Sequence, residues 1–126
     1  MSEVRDDLRY TKTHEWVKVE GNIAKVGITD HAQSELTDVV FVELPEIGKE
    51  VKKGEEVCTI ESVKSVAEVY SPLSGKIINV NKDLENSPEK LNKSPYEEGW
   101  LFEMEIKDEK ELDDLLSPDE YRKLIS

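Results

Sequence analysis

Apolar and polar positions alternate along much of this chain with the period of β-strands. Trp16, Val17 and Val19 precede a Glu20-Gly21-Asn22 turn, and Ile23, Val26 and Ile28 follow it, which predicts a hairpin. Val57, Cys58, Thr59 and Ile60 face Val66, Val69 and Tyr70 across a polar bend, Glu61-Ser62-Val63-Lys64-Ser65, and predict a second hairpin with Lys64 at its tip. Ser71-Pro72-Leu73-Ser74-Gly75 ends the returning strand, and another runs from Lys76 through Ile77 to Val80. Trp100, Phe102, Met104 and Ile106 fall on one face of a later strand. The continuous run Val39–Leu44, stopped by Pro45, predicts a strand buried on both faces, and turns at 47–49 and 53–55 flank Val51.

Helical signals are few. Thr29 to Leu36 reads as a short helix, with Asp30 accepting from the first free N–H groups and Gln33 reaching back. Residues 84–96 hold two prolines and several turn formers, so they predict a loop with one helical turn at 88–90. The tail predicts two helical pieces within about residues 108–125. Asp108 and Glu111 open the first, whose buried stripe is Leu112, Leu115 and Leu116. Ser117-Pro118-Asp119-Glu120 is a capping box opening the second, with Tyr121, Leu124 and Ile125 inward. Met1 to Leu8 predict a frayed acidic start. The sum is a mostly β chain forming one domain over 1–126, with the Lys64 hairpin spanning 57–76.

Composition narrows the function. With 29 acidic against 17 basic residues the net charge is −12, a surface that repels phosphate backbones and argues against nucleic acid as a partner. Such a surface suits either solubility or docking at electropositive mouths of larger proteins. No run is long and apolar enough for a membrane span, and the start MSEVRDDL lacks the basic, apolar character of a leader, so the expected location is the cytoplasm. The single Cys58 cannot form an internal disulfide and, in an apolar strand, predicts an inert buried thiol. The two histidines, His14 and His31, and one cysteine give no zinc-type spacing, and the glycines give no phosphate loop. Trp16, Tyr96 and Trp100, at strand spacing in an acidic chain, read as core and cleft wall rather than a stacking platform.

A lysine on a hairpin tip is ordinarily a solvated charge. Here the surrounding string, E-S-V-K-S followed by V-Y-S-P-L-S-G-K-I, resembles the attachment hairpin of the lipoyl/biotinyl carrier family, and the glycine cleavage H proteins within it. The opening Tyr10-to-Val17 segment (Y-x-x-x-H-E-W-V), I-T-D-H-A-Q and N-K-S-P-Y-x-x-G-W-L are similar to the same group. A biotin carrier would flank its lysine with methionines; Val63 and Ser65 stand here instead, which favours lipoate. A loose echo of 51–54 in 80–83 fits the two quasi-symmetric halves of such carriers, though it is too weak to count as a repeat.

The resemblance implies a flattened barrel-sandwich hybrid of two small antiparallel sheets. It implies lipoate amide-linked to Lys64, with Glu61, Ser62, Val63 and Ser65 around the attachment point. The implied role is that of a monomeric, non-catalytic carrier. It would take an aminomethyl group from the glycine decarboxylase to the aminomethyltransferase and present the dihydrolipoyl arm to the dihydrolipoyl dehydrogenase, after loading by a lipoate-attaching enzyme. A cationic amine cargo prone to attack by water needs an acidic, partly dry lining. Glu15, with Thr13 beside it, is the first candidate, and His31 and Glu68 follow. The plainer readings make Glu15 and Glu68 surface acids and His31 a helix-start residue. Two rival functions stand beside this one: an H-like lipoate relay to other lipoyl-dependent enzymes, and an interaction domain with an unmodified Lys64.

Overall fold

The computed structural model describes residues 2–126. Nine strands form two antiparallel sheets: β1 (Arg9–Tyr10), β2 (Glu15–Glu20), β3 (Ile23–Ile28), β4 (Val39–Glu43), β5 (Glu50–Val51), β6 (Glu56–Ser62), β7 (Val66–Tyr70), β8 (Gly75–Val80) and β9 (Phe102–Ile106). The larger sheet runs β1-β2-β3-β9-β8-β5 and the smaller β4-β6-β7. Neither closes on itself, and the architecture is the mostly β, two-sheet sandwich that the sequence predicts. Helices are short: α1 (Asp30–Leu36), α2 (Asp83–Asn86), α3 (Lys90–Lys93) and α4 (Pro118–Ile125), with a 3-10 turn at Glu109–Asp114.

Period-two alternation sends successive β2 residues to opposite faces, and over Glu15–Val17 both faces are covered, while Lys18–Glu20 are exposed. Val17 joins the main core between the sheets with Val26, Ile28, Val42, Ile60, Val69, Leu73, Phe102 and Met104. Trp16 faces the other way, into a second cluster with Leu8, Tyr10, Tyr96 and Tyr121. There Tyr121 stacks on Tyr10 with ring centroids 4.5 Å apart, and Trp16 Nε1 donates to the Pro95 carbonyl at 2.9 Å. The tail is thus a lid on the large sheet. Leu116 extends the edge, exchanging backbone hydrogen bonds with Tyr10 at 2.7 and 2.9 Å.

Several local expectations change. The run at 39–44 is not buried on both faces: Val39 and Val42 point inward, while Val40 and Phe41 are about half exposed, at 52% and 50%. β4 is an edge strand with a register shift between Val39 and Phe41, and only one face meets the core. At α1 the capping oxygen is Thr29 Oγ1, which accepts from Ala32 N, and Asp30 instead accepts from the Gln33 amide. Residues 84–96 contain two helical turns, anchored by buried Leu84 and Leu91, rather than one. Leu124 faces solvent; Tyr121 alone of α4 is buried. The capping box at Ser117 and Glu120 forms as predicted. Of the start expected to fray, Met1 lies outside the described residues and the rest is tied down: Leu8 is buried, Tyr10 Oη bonds both the amide and the carbonyl of Arg5, and Glu3 N donates to Asp30.

Candidate functional site

β6 and β7 pair in register from Cys58↔Val69 to Glu61↔Val66, which leaves Ser62–Ser65 as a four-residue loop. Ser62 holds that loop from the inside. Its amide donates to the Ser65 carbonyl at 2.8 Å, and its Oγ accepts from Ser65 N at 3.1 Å. Val63 N donates to the Asp38 carbonyl at 3.0 Å, which braces the tip against the start of β4. Lys64 therefore begins from a defined backbone, while its own side chain is exposed and makes no ion pair among the described residues. Glu61, Val63 and Ser65 are exposed around it and Ser62 is buried. Val63, Val66 and Phe41 add an exposed apolar rim to the tip.

A cleft of about 280 Å³ runs beside the hairpin, lined on one side by Ser65, Ala67, Glu68 and Val69 and on the other by Thr13, His14, Glu15 and Glu35. Ile28, Leu36 and Ile60 make its apolar floor. A second, wider groove of about 600 Å³ meets it at Thr13 and Glu15 and continues past Tyr70, Pro72 and Leu116.

Glu15 is the unusual group here. It is only 1% exposed, yet it has no cationic partner among the described residues. Thr11 and Thr13 hydroxyls both donate to its Oε1 at 2.5 Å, and Tyr70 N donates to Oε2 at 3.3 Å. Burial pushes its carboxyl above the usual range, against those hydrogen bonds, which favour the charge. A buried, pre-oriented carboxylate at the junction of two grooves is a receptor for a cation or a strong donor.

Beside it stands a group brought together by the fold. His14 takes a left-handed backbone, φ 69°, and its ring sits 4.7 Å from that of His31, tilted 38°. His31 Nε2 contacts Glu35 Oε1 at 2.8 Å one turn along α1. His14 Nδ1 lies 2.8 Å from Tyr121 Oη, which lies 2.7 Å from Thr29 Oγ1. Burial, then the neighbouring His31, lowers the His14 pKa. Burial pushes the Tyr121 phenol up to about 12.

Comparison with known proteins decides the family. The family model described as glycine cleavage H-protein matches residues 8–126. The chain belongs to the glycine cleavage H-protein family. Among its relatives, the glycine cleavage system H protein of Endomicrobium trichonymphae is 62% identical over 122 residues, 97% of this chain and 98% of that one. The corresponding protein of Thermotoga maritima is 62% identical over 118 residues, 94% and 95% of the two chains. The crystal structure of the H protein from Mycobacterium marinum superposes with a TM-score of 0.84 at 34% identity, covering 95% of this chain and 97% of that one.

In this H-protein fold Glu15, Thr13 and Glu68 line one cleft with Ser65, next to Lys64. Glu15 is no surface acid, whereas Glu68 and Thr13 are exposed at the cleft mouth. His31 does not line the cleft; it is half-buried behind Glu35 and His14, which do. Trp16 and Tyr96 belong to the core under the tail, and Trp100 lies half-exposed beneath the Lys25 ammonium, 5.1 Å from its ring centre; none of the three lines this cleft. Sequence reasoning passed over His14, Glu35, Thr11 and Tyr121. The first three lie in the strings that carry the resemblance or one helical turn beyond, a signal that was available. Tyr121, distant in sequence, gave none.

Proposed function

We propose that this chain is the lipoyl-bearing carrier of a glycine cleavage system. It shuttles an aminomethyl group from the glycine decarboxylase to the aminomethyltransferase and then presents its reduced arm to the dihydrolipoyl dehydrogenase. Lys64 is the attachment residue, and a lipoate-attaching enzyme loads it. The chain catalyses none of these reactions and works as a monomer in the cytoplasm.

The residues fit the group. Lys64 projects free of ion pairs from a braced loop, and a cleft of about 280 Å³ opens beside it. When bound, lipoate supplies the disulfide and dithiol chemistry. The polypeptide supplies position and shelter. Ser62 and Ser65 lock the loop, so the arm starts from one place and reaches each docked enzyme at high local concentration. Ile28, Leu36, Ile60 and Val69 exclude water from the cleft floor. Glu15 accepts from the cationic amine of the cargo, with Thr11 and Thr13 setting the carboxylate's orientation, and Glu68 adds a second negative charge at the mouth.

The observation that carries this reading is the buried Glu15 carboxylate with no cationic partner among the described residues. Without cargo it is held out of water at a cost, and a cationic ligand relieves that cost. A pure lipoate relay has no use for it. The test begins with intact mass and peptide mapping across 57–76 of protein from its native host. A lipoyl increment on Lys64 is expected; an unmodified lysine in lipoate-competent cells overturns the carrier reading. Glu15→Gln in lipoylated protein should then speed loss of the loaded amine, and equal retention would shift the assignment to the relay.

A further inference from the structure

We propose that His14, His31 and Glu35 form a binding site for a divalent transition-metal ion of the zinc class at the edge of the cleft. The two histidines are far apart in sequence and carry no zinc-type spacing, but β2 and α1 bring them together. One nitrogen from each ring and one Glu35 oxygen all lie within 4.8 Å of one another. In a tetrahedral zinc site, ligand atoms about 2.0–2.2 Å from the metal lie roughly 3.4 Å apart. The side chains need only close on a common centre, and Glu35, whose side chain is 68% exposed, has room to turn from its 2.8 Å contact with His31 Nε2.

The surroundings have the character of a supporting shell. His14 Nδ1 is held by Tyr121 Oη, itself held by Thr29 Oγ1, at 2.8 and 2.7 Å. With Nδ1–H donating to Tyr121 Oη, that bond orients the ring and leaves Nε2 for the metal, the usual arrangement of a ligating histidine. His14 also holds a left-handed backbone, φ 69°, uncommon for a residue with a side chain, where its ring stands 4.7 Å from that of His31. The helical i,i+4 contact of His31 and Glu35 explains itself as a pair of neighbours one turn apart. The addition of a second, part-buried imidazole held by a tyrosine hydroxyl does not follow from that pair. Two histidines and a carboxylate suit zinc, cobalt or nickel rather than the hard cations magnesium and calcium.

The test uses the full chain carrying no lipoate, so it stands whether or not Lys64 is modified. Zinc chloride titrated by calorimetry should bind with one-to-one stoichiometry, and cobalt(II) should give the intense visible bands of a low-symmetry, four-coordinate ion. His31→Ala and Glu35→Gln should each weaken zinc binding by about 100-fold or more, and Tyr121→Phe by about 10-fold through the freed ring. Glu35→Gln changes only an exposed side chain, so it reports on the site even if His31→Ala folds poorly; thermal unfolding without metal checks each variant. Absence of stoichiometric binding, or zinc affinity unchanged in Glu35→Gln, overturns the assignment.

Discussion

Gly27→Ala tests whether the two-faced packing of β2 is what holds the cleft wall. Gly27 lies opposite Trp16 in the β2–β3 pair. A Cβ added there would stand 2.6 Å from Trp16 Cε2, Cζ2 and Nε1. The indole is 1% exposed and tied by Nε1 to Pro95, so it cannot simply swing away. Overpacking of a close-packed core costs about 1–3 kcal/mol. If the ring moves, the buried hydrogen bond adds about 1 kcal/mol. The expected loss is therefore about 2–4 kcal/mol, or roughly 8–16 °C in Tm at about 4 °C per kcal/mol for a chain of this size. Urea denaturation followed by tryptophan fluorescence measures it. The decisive comparison is the same substitution in a Trp16→Leu background, where the clash is gone and the added cost should fall below about 1 kcal/mol. Gly21→Ala is a useful contrast, because nothing lies within 4 Å of its Cβ and only its φ of +62° is strained. A loss below about 0.5 kcal/mol for Gly27→Ala, or an equal loss with and without the indole, would refute the packing argument.

Three further outcomes follow from the site. Glu15 has a folded pKa above its ordinary value, so its protonated form favours the fold; that contribution is full below about pH 4.5 and is lost as pH rises through the raised value. The stability of wild type relative to Glu15→Gln should accordingly fall between pH 4 and pH 7 in a urea series, and a flat or rising difference would contradict the burial of the charge. Lys64→Ala should remove the site of mass increment while changing stability by no more than about 0.5 kcal/mol, since the exposed Lys64 side chain makes no ion pair among the described residues; a larger loss means that Lys64 has a structural partner. Cys58, buried and pushed up to about 12 by desolvation, should resist a disulfide reagent in the native state at pH 8 and react fully in denaturant.

The Lys64 hairpin was legible because its determinants are local. β-branched alternation, a polar bend and a Ser-Pro-Leu-Ser-Gly stop all lie within 57–76, and the two strands pair across that bend as predicted. The capping box at Ser117 was legible for the same reason. Errors fell where burial depends on partners distant in sequence. An apolar run such as 39–44 reads as fully buried, yet position at a sheet edge decides which face meets the core, and no residue within the run encodes that. The choice between Thr29 and Asp30 as cap turns on one residue of register, and the Thr29 hydroxyl prevails while also meeting Tyr121. The burial of Glu15 was open at the sequence level because it needs Tyr70 N from another sheet and two threonines folded back over it. His14 and His31 showed no ligand spacing for a similar reason: their proximity is made by the turn from β2 through β3 into α1, not by helical period.

The two halves of the proposed site thus rest on different physics. The attachment point draws on contacts within four residues, Ser62 to Ser65, and on one bond to Asp38. It can form early, and it can be presented to an attaching enzyme without the rest of the cleft being perfect. The shelter, in contrast, needs β2, α1, β7 and the C-terminal α4 at once, because Tyr121 braces His14 and Thr29 from a position 107 residues beyond His14. Substitutions at the tip should therefore alter loading and leave the fold alone, while substitutions in the tail should loosen the cleft wall without touching Lys64. That separation suits a carrier: the arm must be freely offered to several enzymes, and only its cargo has to be held in a defined, water-poor place.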